Sequence, residues 1–259
     1  MNTFYREKSA LVVGGSQGIG LAISSRLSQL GCRVWLAARD QNRLEEVCEN
    51  FAGATPLQLD VTDGASTREK LQQVSDDQGA FDFVFNCAGL ALPGYLTEQP
   101  PKDARTMMEV NYFGTYNVCR TVVEPMIARR QGVIVNTSSL GGLMGLFGYT
   151  GYCASKFAVV GFSEALRREV APFGVRVCLL CPPNTDTPGL ARENLTKPAE
   201  VLATEENVKT VTPEFVAEKL LRAIPRGKTM VIPTFDGWLA YYLARYAPFV
   251  LERFVRRPT

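Results

Sequence analysis

The chain has 259 residues, 46% of them apolar, with 28 basic against 26 acidic side chains and a net charge of +2. That is ample for one large α/β domain, and it excludes global disorder and the whole-molecule basic footprint of a nucleic-acid binder. Histidine is absent, which excludes Ser-His-Asp hydrolysis, histidine metal sites and imidazole shuttles, and leaves acid–base chemistry to Tyr, Lys, Cys or a carboxylate.

Residues 9–13 are a short apolar run, followed by a glycine turn and a helix to Leu30. Ile19, Ile23, Leu27 and Leu30 give that helix one apolar stripe, and Gly31 ends it. Residues 33–38 read as a second strand, and Asp40 is placed to cap a helix through Phe51. A third strand is expected at 55–59, a polar helix near 66–75 and a fourth strand at 81–85. A long helix over 102–129 precedes a strand at 133–137, a helix over 151–170 and a strand at 175–181. Thr212 is placed to cap a helix over 213–224, with Pro213 at its first position, before a short strand at 229–232.

Strands alternating with helices, and strands that are apolar throughout, predict an α/β fold. The expected architecture is a doubly wound Rossmann-type parallel sheet of about seven strands, with helices on both faces. No composition break divides residues 1–235, and 236–259 read as an appended C-terminal amphipathic helix. The seven cysteines are scattered, which suggests free thiols in a reducing compartment. Cys178 and Cys181 lie three apart on a predicted strand and so face opposite sides, as core thiols and not a metal pair. No metal site is expected. The first ten residues carry charges without a following apolar stretch, so neither a signal peptide nor a membrane span is expected there.

Gly14-Gly15-Ser16-Gln17-Gly18-Ile19-Gly20 follows the first strand and opens a helix. Gly14 suits the tight turn, Gly18 lets backbone approach a pyrophosphate, and Gly20 lets helix and sheet pack closely. The helix N-terminus then offers N–H groups to phosphate. The second strand ends Ala37-Ala38-Arg39, with Arg43 one turn on. Two cations at this place fit the 2′-phosphate of NADPH, whereas NAD sites favour an acid. The alternative is a solvated charged face with Asp40 as partner.

Tyr152 and Lys156 lie four apart on one predicted helix and share a face. Ser139 ends the fifth strand at the carboxyl edge, where ligands bind in this architecture. A ketone that accepts hydride becomes an alkoxide and needs a proton. Tyrosine can donate one, and a neighbouring ammonium is expected to lower its free pKa of about 10 toward neutrality.

Together these features resemble the short-chain dehydrogenase/reductase family over about residues 9–233. The glycine loop matches TGxxxGxG, with Val13 in place of threonine, and Asn86-Cys87-Ala88-Gly89 matches NNAG, with cysteine at the second position. The resemblance implies that Asp60 and Val61 contact an adenine. It implies that Asn86, Ala88 and Gly89 contact the cofactor, and that Asn111 holds a proton-relay water. It makes Ser139, Tyr152 and Lys156 the catalytic trio, with Lys156 also on the nicotinamide ribose. Asn86 could instead hold a strand end, and Asn111 could sit in a helix by back-bonding.

The segment Pro182-Pro183-Asn184-Thr185-Asp186-Thr187-Pro188-Gly189, followed by residues 193–198, is similar to the 3-ketodihydrosphingosine reductase branch, with Asn184 where that branch has Asp. Gly145–Thr150 resembles it too. By that resemblance Pro182, Thr185 and Thr187 line the nicotinamide pocket, and the reaction is NADPH-dependent reduction of 3-ketosphinganine. Alternatives are a reductase of another lipid-like ketone (acyl, steroid or general carbonyl) and a non-catalytic NADPH-binding scaffold on membranes. Family members commonly pair through the helices carrying Asn111 and Tyr152, which makes a homo-oligomer an expectation.

From residue 238 onward, four arginines face one glutamate among Trp238, Tyr241, Tyr242, Tyr246, Phe249 and Phe254. This mixture suits a helix lying on anionic lipid, and a helix docked on its own domain or on a second subunit is the alternative. With Leu143, Met144, Leu146, Phe147 and Leu190, it is expected to guide an acyl chain to Tyr152. The expected location is cytoplasmic, at the membrane surface.

Overall fold

The computed structural model describes residues 2–51, 53–206 and 208–250. Its strands are β1 (Ser9–Val13), β2 (Arg33–Ala38), β3 (Ala54–Gln58), β4 (Phe83–Asn86), β5 (Gly132–Thr137), β6 (Val175–Leu180) and β7 (Met230–Val231). They form one parallel sheet in the order β3-β2-β1-β4-β5-β6-β7. The helices are α1 (Asn2–Tyr5), α2 (Gly18–Gln29), α3 (Gln41–Cys48), α4 (Gly64–Gln78), α5 (Pro101–Met108) and α6 (Gly114–Ala128). They continue with α7 (Thr150–Val170), α8 (Pro188–Asn194), α9 (Ala199–Glu205), α10 (Pro213–Ala223) and α11 (Phe235–Tyr246).

Period two along the strands assigns side chains to opposite layers. Ala10 and Val12 pack with Ile23, Leu27 and Leu220 under α2 and α10. Leu11 and Val13 pack with Leu71, Val118 and Leu166 under α4, α6 and α7. A continuously apolar strand is therefore buried on both faces, as the runs at 9–13 and 175–181 require. Cys178 joins the first layer and Cys181 a separate cluster with Val159 and Leu179, so the CxxC thiols do face apart. All seven cysteines are free, and among the described residues none joins a metal-binding group.

The chain reverses its direction of growth between β1 and β4, where Val13 pairs with Ala37 on one side and Asn86 on the other. That switch point is where a doubly wound sheet opens a ligand crevice.

Several boundaries differ from the sequence expectation. The long helix over 102–129 is two helices joined by a π-helical turn, Glu109–Phe113, which carries Asn111. Nothing in helical periodicity signals an inserted residue of this kind. The fourth strand begins at Phe83, because Phe81 turns aside to meet Trp35 edge-on at 5.5 Å. The helix after Asp40 stops at Cys48, and α4 extends to both sides of 66–75 with Asp63 as its cap. The unanticipated α1 is anchored by Tyr5, whose buried hydroxyl donates to the Leu221 carbonyl at 2.8 Å. The short α8 and α9 were hidden by a polar, proline-rich stretch.

The aromatics of the C-terminal segment are not uniformly exposed. Trp238 and Tyr241 of α11 pack with Val159, Leu179, Cys181 and Ile232, while Phe235, Leu239, Tyr242, Tyr246 and Phe249 face outward. Arg253, Phe254, Arg256 and Arg257 lie outside the described residues. No helix among the described residues is long and apolar enough to cross a membrane.

Candidate active site

Between β1 and α2 several glycines are packed too tightly for a side chain. Gly14 has φ +76°, and a Cβ on it would stand 2.7 Å from the Ala88 nitrogen at the end of β4. A Cβ on Gly20 would stand 2.1 Å from the Gly14 carbonyl oxygen. Gln17, the N-cap of α2, makes no side-chain cap bond. Asp40, Asp63, Thr187, Thr212 and Thr234 each cap their own helices. The first N–H groups of α2 are thus left for an anion at the switch point, so the loop fits a pyrophosphate. Ser16 is buried in this loop, and Ile19 reaches the cavity described below. Gly18, also left-handed at φ +56°, lies under Thr187, whose Cγ2 would be 3.1 Å from a Cβ there.

Arg43 arches over the same loop and donates from Nε to the Ser16 carbonyl at 3.2 Å. Asp40 takes the Arg43 backbone N–H instead of its guanidinium. Among the described residues neither Arg39 nor Arg43 makes an ion pair. Asp60 follows β3. Burial alone would raise its carboxyl, but hydrogen bonds from Thr62 and the charge of Arg39 outweigh it and hold the group below the ordinary value. Val61 is buried and packs closely on Gly114.

Asn86 points away from the crevice. Its amide donates to Asn136 Oδ1 at 2.8 Å, Asn136 in turn donates to Ser163 at 2.8 Å, and Asn86 Oδ1 is buried without a partner. Its side chain ties the end of β4 to β5, where Asn86 and Asn136 are register partners. The Asn111 side chain bonds outside its own helix and not back onto it. Its amide exchanges two 2.8 Å bonds with the Leu90 backbone and gives a third to Ser155 on α7. A Cβ on Gly89 would stand 3.2 Å from Lys156 Nζ and 3.3 Å from Asn111 Oδ1. Asn111 thus sits directly behind Gly89 and Lys156.

Ser139, Tyr152 and Lys156 all line one cavity of about 1010 Å³ at the carboxyl edge of β4, β5 and β6. Ser139 caps a short 3-10 turn after β5, its hydroxyl accepting the Gly141 N–H at 3.1 Å. Lys156 is buried, and its ammonium donates to the Thr137 carbonyl at 3.1 Å. The ammonium lies 5.8 Å from the centre of the Tyr152 ring. Gly89, Pro182, Thr185 and Thr187 also line the cavity. Met144, Leu146, Phe147 and Leu190 supply an apolar wall, whereas Leu143 packs beside Val159 instead.

The expected lowering of the Tyr152 pKa by Lys156 is not what the geometry gives. Burial drives the phenol well above its usual range, Glu193, Cys153 and Cys181 push it further, and only the hydrogen bond from Ser139 opposes them. Burial also pushes Lys156 down to about 8. Desolvation acts on each group separately and is the largest influence on both.

Sequence reasoning noted residues 193–198 but missed what they build. The single Tyr149 hydroxyl proton is shared between Glu193 at 2.5 Å and Glu205 at 3.0 Å. Lys197 pairs with Glu193 at 3.2 Å and Glu205 at 2.6 Å, and Asn184 adds a bond to Glu205 at 3.2 Å. The four-residue spacing of Glu193 and Lys197 was the one readable signal.

A parallel seven-stranded sheet, an uncapped glycine loop at its switch point and a Ser, Tyr and Lys trio facing one cavity define a Rossmann-type oxidoreductase. Residues 8–198 match the short chain dehydrogenase family, and the chain belongs to it. It is 34% identical over 238 residues to the 3-ketodihydrosphingosine reductase of Bos taurus, covering 88% of this chain and 72% of the relative. To the 3-dehydrosphinganine reductase of Danio rerio it is 38% identical over 226 residues, covering 84% and 68%. Among solved structures, a short chain dehydrogenase from Burkholderia cenocepacia in complex with NADP is similar, with TM-score 0.82, 25% identity and 98% and 99% coverage.

The buried Lys156 makes stability depend on pH in a defined direction. Below pH 8 the native and unfolded chains both hold its proton, and the burial penalty is fully felt. Between about 8 and 10.5 the unfolded chain keeps the proton while the native chain releases it, so native stability rises with pH. Urea unfolding should show Lys156→Met more stable than wild type at pH 7, with the difference shrinking by pH 10; a gap that grows with pH contradicts the assignment.

Proposed function

We propose that this protein reduces 3-ketosphinganine to sphinganine with NADPH. One observation carries the reading: Ser139, Tyr152 and Lys156 converge on a single cavity in a chain whose relatives at 34–38% identity are named for this reaction. The bound nicotinamide supplies a hydride to the ketone carbon. Ser139 donates a hydrogen bond to the carbonyl oxygen and polarises it. Tyr152, held as the neutral phenol by burial, gives its proton to the oxygen as negative charge develops there. The Lys156 ammonium stabilises the phenolate left behind and binds the ribose. Asn111, behind Lys156, supports return of the proton. The product is the secondary alcohol.

The glycine loop (Gly14, Ser16, Gln17, Gly18, Ile19, Gly20) seats the pyrophosphate. Asp60 and Val61 flank the adenine, and Ala88, Gly89, Pro182, Thr185 and Thr187 shape the nicotinamide end. Arg43 lies over Ser16, and among the described residues neither it nor Arg39 makes an ion pair, which favours a 2′-phosphate. The apolar wall of Met144, Leu146, Phe147 and Leu190 takes the alkyl chain. Residues 236–259 act as an appended segment whose outward aromatics meet lipid, while Trp238 and Tyr241 hold α11 to the domain. The exposed rings of Phe113 and Phe157 favour pairing of two copies across α7.

Tyr152→Phe should keep NADPH binding by fluorescence and lose at least about a hundredfold in turnover of 3-ketosphinganine, read by mass spectrometry of the alcohol. Near-normal turnover refutes the mechanism. For the cofactor, wild type should prefer NADPH to NADH in kcat/KM, and Arg43→Ala should lose at least about tenfold of that preference, about 1.4 kcal/mol. An NADH preference in wild type refutes the phosphate clamp. On anionic liposomes, the full chain should co-sediment more strongly than a chain ending at residue 234; equal binding removes the lipid role of the tail.

A further inference from the structure

The cavity lining carries a charge that the reduction of a ketone does not need. Glu193 and Glu205 both line it, and both converge on one ammonium, that of Lys197. Among the described residues Lys197 is the sole cation in ion-pair range of either carboxylate. Two carboxylates against one ammonium leave one negative charge in excess. Lys197 is itself buried, its side chain 1% exposed, and so cannot swing into the cavity to serve a ligand. The network fixes the geometry as well. Tyr149 binds both carboxylates, and its ring packs 5.8 Å from that of Tyr152.

The oxygens are unevenly used. Glu205 spends one on Tyr149 and the other on Lys197 and Asn184. Glu193 receives Tyr149 and Lys197 on the same oxygen, Oε1. Among the described residues no hydrogen bond reaches Glu193 Oε2, although a carboxylate can accept about four. Glu193 is also near enough to Tyr152 for its charge to act on the phenol. Arg192 and Lys209 line the same cavity without pairing with this cluster.

We infer that Glu193 is the specificity residue for a substrate ammonium, binding through Oε2 an amine borne on the carbon next to the ketone. The inference rests on the sphingoid reading above, because 3-ketosphinganine carries its amine there. A carbonyl seated at Tyr152 puts the neighbouring ammonium within a few ångströms, on the side where Tyr149 holds Glu193. A charge-assisted bond in a partly desolvated cavity is stronger than its neutral counterpart. It therefore separates an amino ketone from a plain acyl or steroid ketone.

The test is calorimetry on the full chain saturated with NADPH, titrated with 2-aminododecane-1,3-diol and with its N-acetyl derivative. Neither probe has a ketone to reduce, so binding is read apart from turnover. Wild type should bind the amine at least tenfold more tightly than the amide. Glu193→Gln should bring the two within about twofold, and Glu193→Asp should restore part of the preference. Equal binding of the probes by wild type overturns the inference, and so does a preference that survives in Glu193→Gln. The wild-type comparison stands even if a variant fails to fold. Turnover of 3-ketosphinganine without amine preference removes this inference and leaves the proposed reaction. Amine preference without that turnover does the reverse.

Discussion

Among the described residues the Lys156 ammonium has one direct acceptor, the Thr137 carbonyl at the end of β5, and it is almost wholly buried. Its placement constrains everything around it. A side chain at Gly89 would crowd Nζ, because a Cβ there would stand 3.2 Å from it. Gly142 must lack one because it packs on the Lys156 backbone carbonyl, which also accepts the Ser138 hydroxyl. Asn111 closes the rear through its bonds to Leu90 and Ser155. A buried cation held this way is costly alone, and it is useful where a negative charge must appear beside it for a moment.

The same burial governs the tyrosine. The neutral phenol and the reluctant ammonium are each set by desolvation, so under the proposed mechanism the resting tyrosine already holds the proton it would deliver. This suits a catalyst working in the direction of reduction. The phenolate need exist only after transfer, when Lys156 and Ser139 can both stabilise it.

Much of this was readable from residues. Period-two burial and unbroken apolar runs gave the sheet, and Gly14, Gly18 and Gly20 gave the turn, because strand packing and left-handed backbone leave few alternatives. The YxxxK spacing placed Tyr152 and Lys156 on one face because helix geometry is fixed. The missing parts depended on tertiary context. A π-helical turn has no periodic signature, so the break at 109–113 was invisible. The shift of Tyr152 away from neutrality needed its burial, which spacing does not reveal. The clasp of Tyr149, Glu193, Lys197 and Glu205 joins residues up to 56 apart, and polar residues in a proline-rich stretch read as loop until their partners are known.

The strap formed by residues 184–205 touches both halves of the crevice. Thr187 rests on Gly18 of the phosphate loop, and six residues later Glu193 is tied to Tyr149 beside the substrate wall. A parallel bridge from Thr185 to Val211 ties the start of this strap to the segment that precedes α10. One short piece of backbone thus borders both the phosphate loop and the substrate wall. Residues 184–205 could not be exchanged for another loop without disturbing both compartments at once.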